Sequence, residues 1–72
     1  MKKINKAKIK INGKKCIINP KMTLKEVIAR FKIPLDKVAI ELNESIIDKK
    51  KLNKIKVKNK DKIEIVHFIG GG

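Results

Sequence analysis

Tryptophan and tyrosine are missing from this 72-residue chain, and Phe31 and Phe68 are its only aromatic residues. The core must therefore be aliphatic. Isoleucine recurs throughout and favours strands, because its β-branched side chain suits a pleated surface. Cysteine occurs once, at Cys16, which excludes an internal disulfide. With His67 as the only histidine, no Cys/His cluster offers the three or four ligands of a zinc site, and no bound metal is expected. No run approaches the roughly 20 apolar residues of a membrane span. The basic N-terminus leads into no apolar stretch of the signal-peptide kind, so a cytoplasmic protein is expected. Arginine occurs once, at Arg30, whereas lysine dominates and leaves a formal net charge of +13 over seven acids. Such a surface attracts anionic partners. Bidentate recognition of phosphates and bases favours arginine, and stacking needs surface aromatics, so a solvated lysine surface is preferred here over nucleic-acid binding.

Catalytic machinery is equally scarce. Ser45 is the only serine, and nothing in the spacing brings it to His67 and an acid. A phosphate loop ending in Lys-Ser/Thr is absent, as is a dinucleotide fingerprint. The acids are scattered among lysines and argue for no carboxylate pair. A chain this short carries one core, so residues 1–72 read as a single domain that is not an enzyme by itself.

What is present is regular patterning. Ala7, Ile9 and Ile11 alternate with Lys8, Lys10 and Asn12, the period of a strand with one buried and one wet face. Asn12-Gly13 suits a two-residue type I′ turn, and Lys14 to Asn19 resumes the alternation with Cys16 and Ile18 on one face. Residues 1–6 are expected to fray or to lengthen strand one through Ile4. After Pro20, Thr23 and Glu26 form a capping box and Met22 and Val27 a hydrophobic staple. Leu24, Val27, Ile28 and Phe31 then fall on one helical stripe, which Pro34 is expected to end. Val38, Ile40 and Leu42 mark a third strand, and Ile46-Ile47 a short fourth beyond a turn at Asn43-Glu44. Residues 48–61 predict an irregular connection or helical turn anchored by Leu52, Ile55 and Val57. Lys62 to Ile69 reads as the last strand, with Ile63 and Ile65 on one face and Glu64, Val66 and Phe68 on the other.

That order of elements predicts an α+β domain of the β-grasp type. Its first and last strands run parallel mid-sheet, one main helix crosses one face, and the C-terminus leaves from a central strand. Gly70-Gly71-Gly72 follow directly. Without Cβ atoms such a flexible tail can enter a narrow channel and bring its terminal carboxylate to another protein's catalytic groups.

The segment Val38 to Asn43, the run from Asp61 to Gly72, the opening Lys8 to Lys14 and the Thr23-Leu24 helix start resemble the ubiquitin-like ThiS family, the sulfur carriers of thiamine biosynthesis. The resemblance covers about residue 7 to the end. It implies that the carboxylate of Gly72 is adenylated by a ThiF-like adenylyltransferase using ATP and magnesium, with no cofactor held by the carrier itself. A desulfurase relay then supplies the sulfur of a thiocarboxylate, which a ThiG-like thiazole synthase consumes to build the thiazole ring. Two turns depart from the family pattern: Glu44 stands where glycine is usual after Leu-Asn, and Asn59-Lys60-Asp61 where Asp-Gly-Asp is frequent.

Val66 and Phe68, with Ile69 beside the tail, are the candidate docking residues for those enzymes. His67 reads as structural, Cys16 as a small buried apolar residue rather than a sulfur relay, and the protein alone as a monomer. Lys54, Lys56, Lys58, Lys60 and Lys62 recur every second residue, which would steer acidic partners or guard a strand edge. Two other readings remain: a carrier of the molybdopterin-synthase small-subunit type, with the same fold and tail but another acceptor, and a basic nucleic-acid-binding β-grasp module.

Overall fold

The computed structural model describes residues 6–68. The chain runs through β1 (Ala7–Ile11), β2 (Lys14–Ile18), α1 (Leu24–Arg30), β3 (Val38–Leu42), β4 (Ser45–Ile46) and β5 (Lys62–His67), with short 3-10 helices at Leu35–Lys37 and Lys49–Lys54. The strands form one sheet in the order β2-β1-β5-β3-β4. β1 and β5 are parallel and all other neighbours antiparallel, so the first and last strands lie side by side in the middle. This is the expected β-grasp. The expectations for residues 1–5, for Ile69 and for Gly70, Gly71 and Gly72 lie outside the described residues.

Alternation decides which face is dry. Ala7, Ile9, Ile18, Val38, Ile40, Ile63 and Ile65 point to the helix side and are buried with Leu24, Val27 and Ile28 of α1 in a single aliphatic cluster. Each buried valine, leucine or isoleucine among them contributes about 1.5–3 kcal/mol. Leu52 and Val57 close one end of the cluster, so the connection after β4 does pack on the core as predicted. Its backbone is tied to the start of α1: the Leu24 N–H donates to the Ile55 carbonyl at 2.7 Å and the Val57 N–H to the Met22 carbonyl at 3.0 Å.

The helix starts as the sequence predicts. Thr23 is the N-cap; the Glu26 N–H donates to Thr23 Oγ1 at 3.1 Å, and Glu26 Oε1 accepts from the Thr23 N–H at 2.8 Å. Its end differs from expectation. α1 stops at Arg30 with Phe31 as C-cap, well before Pro34, because Lys32 enters the left-handed region at φ 56°. The stripe is therefore one residue short: Phe31 lies past the last turn and is 45% exposed. Strand limits shift slightly too. β2 ends at Ile18, β4 covers Ser45–Ile46 and leaves Ile47 outside, and β5 ends at His67.

Both turns that depart from the resemblance keep the backbone a glycine would give. Asn43 and Glu44 have φ 50° and 73°, the pair of positive values required by a type I′ hairpin between β3 and β4. Lys60 has φ 74° at the third position of the Lys58–Asp61 turn, where the type II geometry calls for positive φ. Hydrogen bonds hold this strained residue. The Lys60 N–H donates to the Lys8 carbonyl at 2.7 Å, Asn59 Oδ1 accepts from the Lys8 N–H at 2.8 Å, and Asp61 Oδ2 accepts from the Lys58 N–H at 2.7 Å. The turn is thus clamped on β1.

Asn12 performs a related task at the hairpin tip, with φ 51°. Its Oδ1 accepts from the Ile65 N–H at 2.7 Å and its Nδ2 donates to the Ile65 carbonyl at 3.4 Å. The carboxamide extends the β1–β5 ladder one step beyond the point where the main chain of β1 turns away.

Candidate functional site

The side of the sheet away from α1 carries no covering element among the described residues, and β5 runs through its middle. Cross-strand pairing sets what this open face displays. Val66 lies opposite Ala39, Glu64 opposite Glu41, and Lys62 beside Lys10, which in turn faces Lys15. Along β5 the face therefore passes from lysines, through a pair of glutamates, to an apolar end.

The apolar end is where the described chain stops. Val66 is 48% and Phe68 55% exposed, on the face opposite Ile63 and Ile65, as the alternation predicts for Val66. Phe68 continues the ladder through its N–H, which donates to the Lys37 carbonyl at 3.0 Å. Its ring is not buried under the 48–61 connection. From that connection Lys49 sets its Nζ 5.4 Å from the ring centroid, a cation–π contact worth about 0.5–1 kcal/mol at an exposed site. Exposed apolar side chains at the end of a central strand offer contact area without any folding cost to expose them. The third candidate docking residue, Ile69, and the tail glycines follow Phe68 outside the described residues.

The remaining candidates separate. Ser45 pairs with Leu42 and His67 with Val38, at opposite ends of β3, so roughly 13 Å of strand lies between them and they form no catalytic pair. Both are exposed, His67 at the edge of the helix-side face. Cys16 is on the same face as Ile18, as expected, but only half buried on the edge strand β2. The alternating lysines do not form one strand edge. Lys54 ends a 3-10 helix, Lys56 makes an isolated bridge to Thr23, Lys58 and Lys60 flank a turn, and Lys62 begins β5. Among the described residues no group of three His, Cys, Asp or Glu could hold a metal ion. No helix among them is long and apolar enough to cross a membrane.

What sequence reading missed is the lateral order of charge on the open face. Lys62 is far in sequence from the hairpin pair Lys10 and Lys15 and joins them only through the β1–β5 register.

Comparison with known proteins places this geometry. The chain is 36% identical over 50 residues to the sulfur carrier protein ThiS of Bacillus subtilis, covering 69% of this chain and 76% of that one. It is 37% identical over 65 residues to a thiazole synthase of Paramagnetospirillum magneticum; the match takes in 90% of this chain and spans only 20% of that longer protein. A crystal structure of the thiamine biosynthesis protein ThiS from Geobacter metallireducens superposes with a TM-score of 0.80 at 25% identity, covering 90% of this chain and 99% of the other. The model of the ThiS family matches residues 3–72, from the N-terminal lysines through the terminal glycines, and the chain belongs to the ThiS family.

Proposed function

We propose that this protein is a sulfur carrier of thiamine biosynthesis and that its reactive group is the carboxylate of Gly72. The observation that carries the reading is the family match, which runs through Gly72 on a chain that exposes Val66 and Phe68 at the tail end of β5. The similarity to a segment of polypeptides named thiazole synthase supports such a synthase as the acceptor.

The chemistry follows from what a carboxylate lacks. It resists nucleophiles until one oxygen becomes a good leaving group. A ThiF-like enzyme with ATP and magnesium supplies that: a Gly72 oxygen attacks the α-phosphorus, pyrophosphate departs, and an acyl-adenylate remains. The terminal sulfur of a donor persulfide then attacks the carbonyl carbon and AMP leaves with the bonding pair. A thiol then attacks the donor-side sulfur of this acyl disulfide, the donor leaves as a disulfide with that thiol, and the released thiocarboxylate is free to give its sulfur to thiazole synthase. The carrier contributes a tail without side chains and a docking face of Val66, Phe68 and Ile69; the catalytic groups belong to its partners.

Intact mass spectrometry after incubation with a ThiF-like enzyme, ATP, magnesium and a sulfur source tests this. The expected product is heavier by the replacement of one oxygen by sulfur, localised to the last peptide. Deleting Gly72, or adding one residue after it, should abolish the change and leave the circular dichroism spectrum intact. Adenylation of a chain with a blocked terminus would overturn the assignment.

A further inference from the structure

At the start of β5 the open face forms a shallow concavity whose lining includes Lys8, Lys10, Lys15, Lys60 and Lys62 together with Ile17. Register makes this arrangement costly. Lys15, Lys10 and Lys62 stand in one lateral row across β2, β1 and β5, and like charges directly opposite one another destabilise a sheet. The neighbouring acids do little to relieve it. Asp61 lines the concavity, but its carboxylate oxygens accept hydrogen bonds from the Lys58 N–H and from Asn43 Nδ2. Glu44 reaches Lys62 at 3.4 Å, from the far side of the row. Lys10 and Lys15 have no carboxylate within ion-pair distance among the described residues. Lys60 is brought to the rim by a backbone in the left-handed region. A row of like charges that a fold keeps abreast with little local compensation points to a ligand at that place.

We infer that this concavity receives an acidic surface of the protein that activates the tail, as a second anchor beside the apolar end of the same face; this rests on the sulfur-carrier reading above. The distances fit one partner. Lys62 begins β5 and Phe68 directly follows its end, six residues on and roughly 20 Å away, within the footprint of a standard interface of about 800 Å² per side. The chemistry fits protein better than nucleic acid. The site contains neither arginine nor an aromatic ring, so it provides point charges without bidentate or stacking recognition. The Glu41–Glu64 pair on the same face, between the two anchors, would repel a polyanion laid along β5. A protein surface can instead set a cation there.

The test compares two triple variants with equal loss of charge. Lys8→Gln, Lys10→Gln and Lys15→Gln remove three of the five lysines that line the concavity; Lys25→Gln, Lys32→Gln and Lys54→Gln remove three charges from outside it. Both are checked by circular dichroism and assayed with a ThiF-like adenylyltransferase that acts on the wild-type chain, over a range of ionic strength. At low salt the concavity variant should lose about tenfold in kcat/KM, mainly through KM, and most of the salt dependence, while the helix-side variant stays near wild type. Equal losses in both variants, or none in either, would overturn the proposal while leaving the carrier reading standing. Failure of the wild-type chain to be adenylated would overturn both. Anisotropy with a short labelled single-stranded RNA covers the other occupant: RNA binding lost only in the concavity variant, with adenylation unchanged, would make nucleic acid the ligand and overturn the inference.

Discussion

Replacing Lys60 with glycine tests whether this chain holds a glycine conformation with a residue that resists it. An L-residue in the left-handed region costs about 1–2 kcal/mol. Glycine removes that cost and loses about 0.5–1 kcal/mol of it again through its greater freedom in the unfolded chain. The turn cannot relax to avoid the strain, because Lys8 binds it through both its N–H and its carbonyl. The net gain for Lys60→Gly is therefore about 0.5–1 kcal/mol, and for 72 residues this raises Tm by about 3–7 °C. Loss of a positive charge from so basic a surface also stabilises, so Lys60→Ala is the necessary companion: it removes the same charge and keeps the Cβ. Thermal unfolding followed by far-ultraviolet circular dichroism, at low and high salt, should place glycine above alanine by most of the predicted shift at both salt levels. Equal Tm values for the two variants would refute the strain argument and assign the whole gain to charge.

Two further predictions concern β5. Asn12→Gly keeps the positive φ at the hairpin tip but removes the carboxamide from Ile65, which should cost about 1–2 kcal/mol and speed hydrogen exchange at the Ile65 amide more than at Ile63; unchanged protection at Ile65 would show that the side chain does not extend the ladder. Val66→Asp places a carboxylate on the open face without disturbing the core, and should raise KM for adenylation roughly tenfold with kcat nearly unchanged, whereas an unaltered KM would remove Val66 from the docking surface.

Sequence patterning exposed most of the fold because its signals are local. The alternation of Ala7, Ile9 and Ile11, the capping box at Thr23 and the paired turn at Asn12-Gly13 each act within a few residues and agree with one another. Where local chemistry was atypical the reading failed. Lys32 ends α1 in a conformation usually given to glycine or asparagine, so Pro34 drew attention instead. The 3-10 helix Lys49–Lys54 has a single buried residue, Leu52, and thus no periodicity to detect, although Asp48 caps it by accepting from the Lys50 N–H. Of the candidate site, the apolar end was legible because Val66 and Phe68 alternate with Ile65 along one strand. The lysine row was not. The Asn12-Gly13 turn sets Lys10 opposite Lys15, but Lys62 joins them only through the β1–β5 register, and register between distant strands is a property of the assembled sheet.

The place of β5 between β1 and β3 also orders events during synthesis. Its two flanking strands leave the ribosome first and must wait for it, since the β1–β5 pairing joins residues near the two ends of the described chain. Until Ile63 and Ile65 arrive, β1–β2 and β3–β4 have no strand to join them, each pair is marginal in water, and pairing between strands so distant in sequence slows folding. A truncated product that stops before Lys62 would consequently be open to proteolysis. Completion of the sheet and exposure of the Val66 and Phe68 surface thus become a single event, so a partner that recognises this surface inspects the integrity of the molecule as it binds.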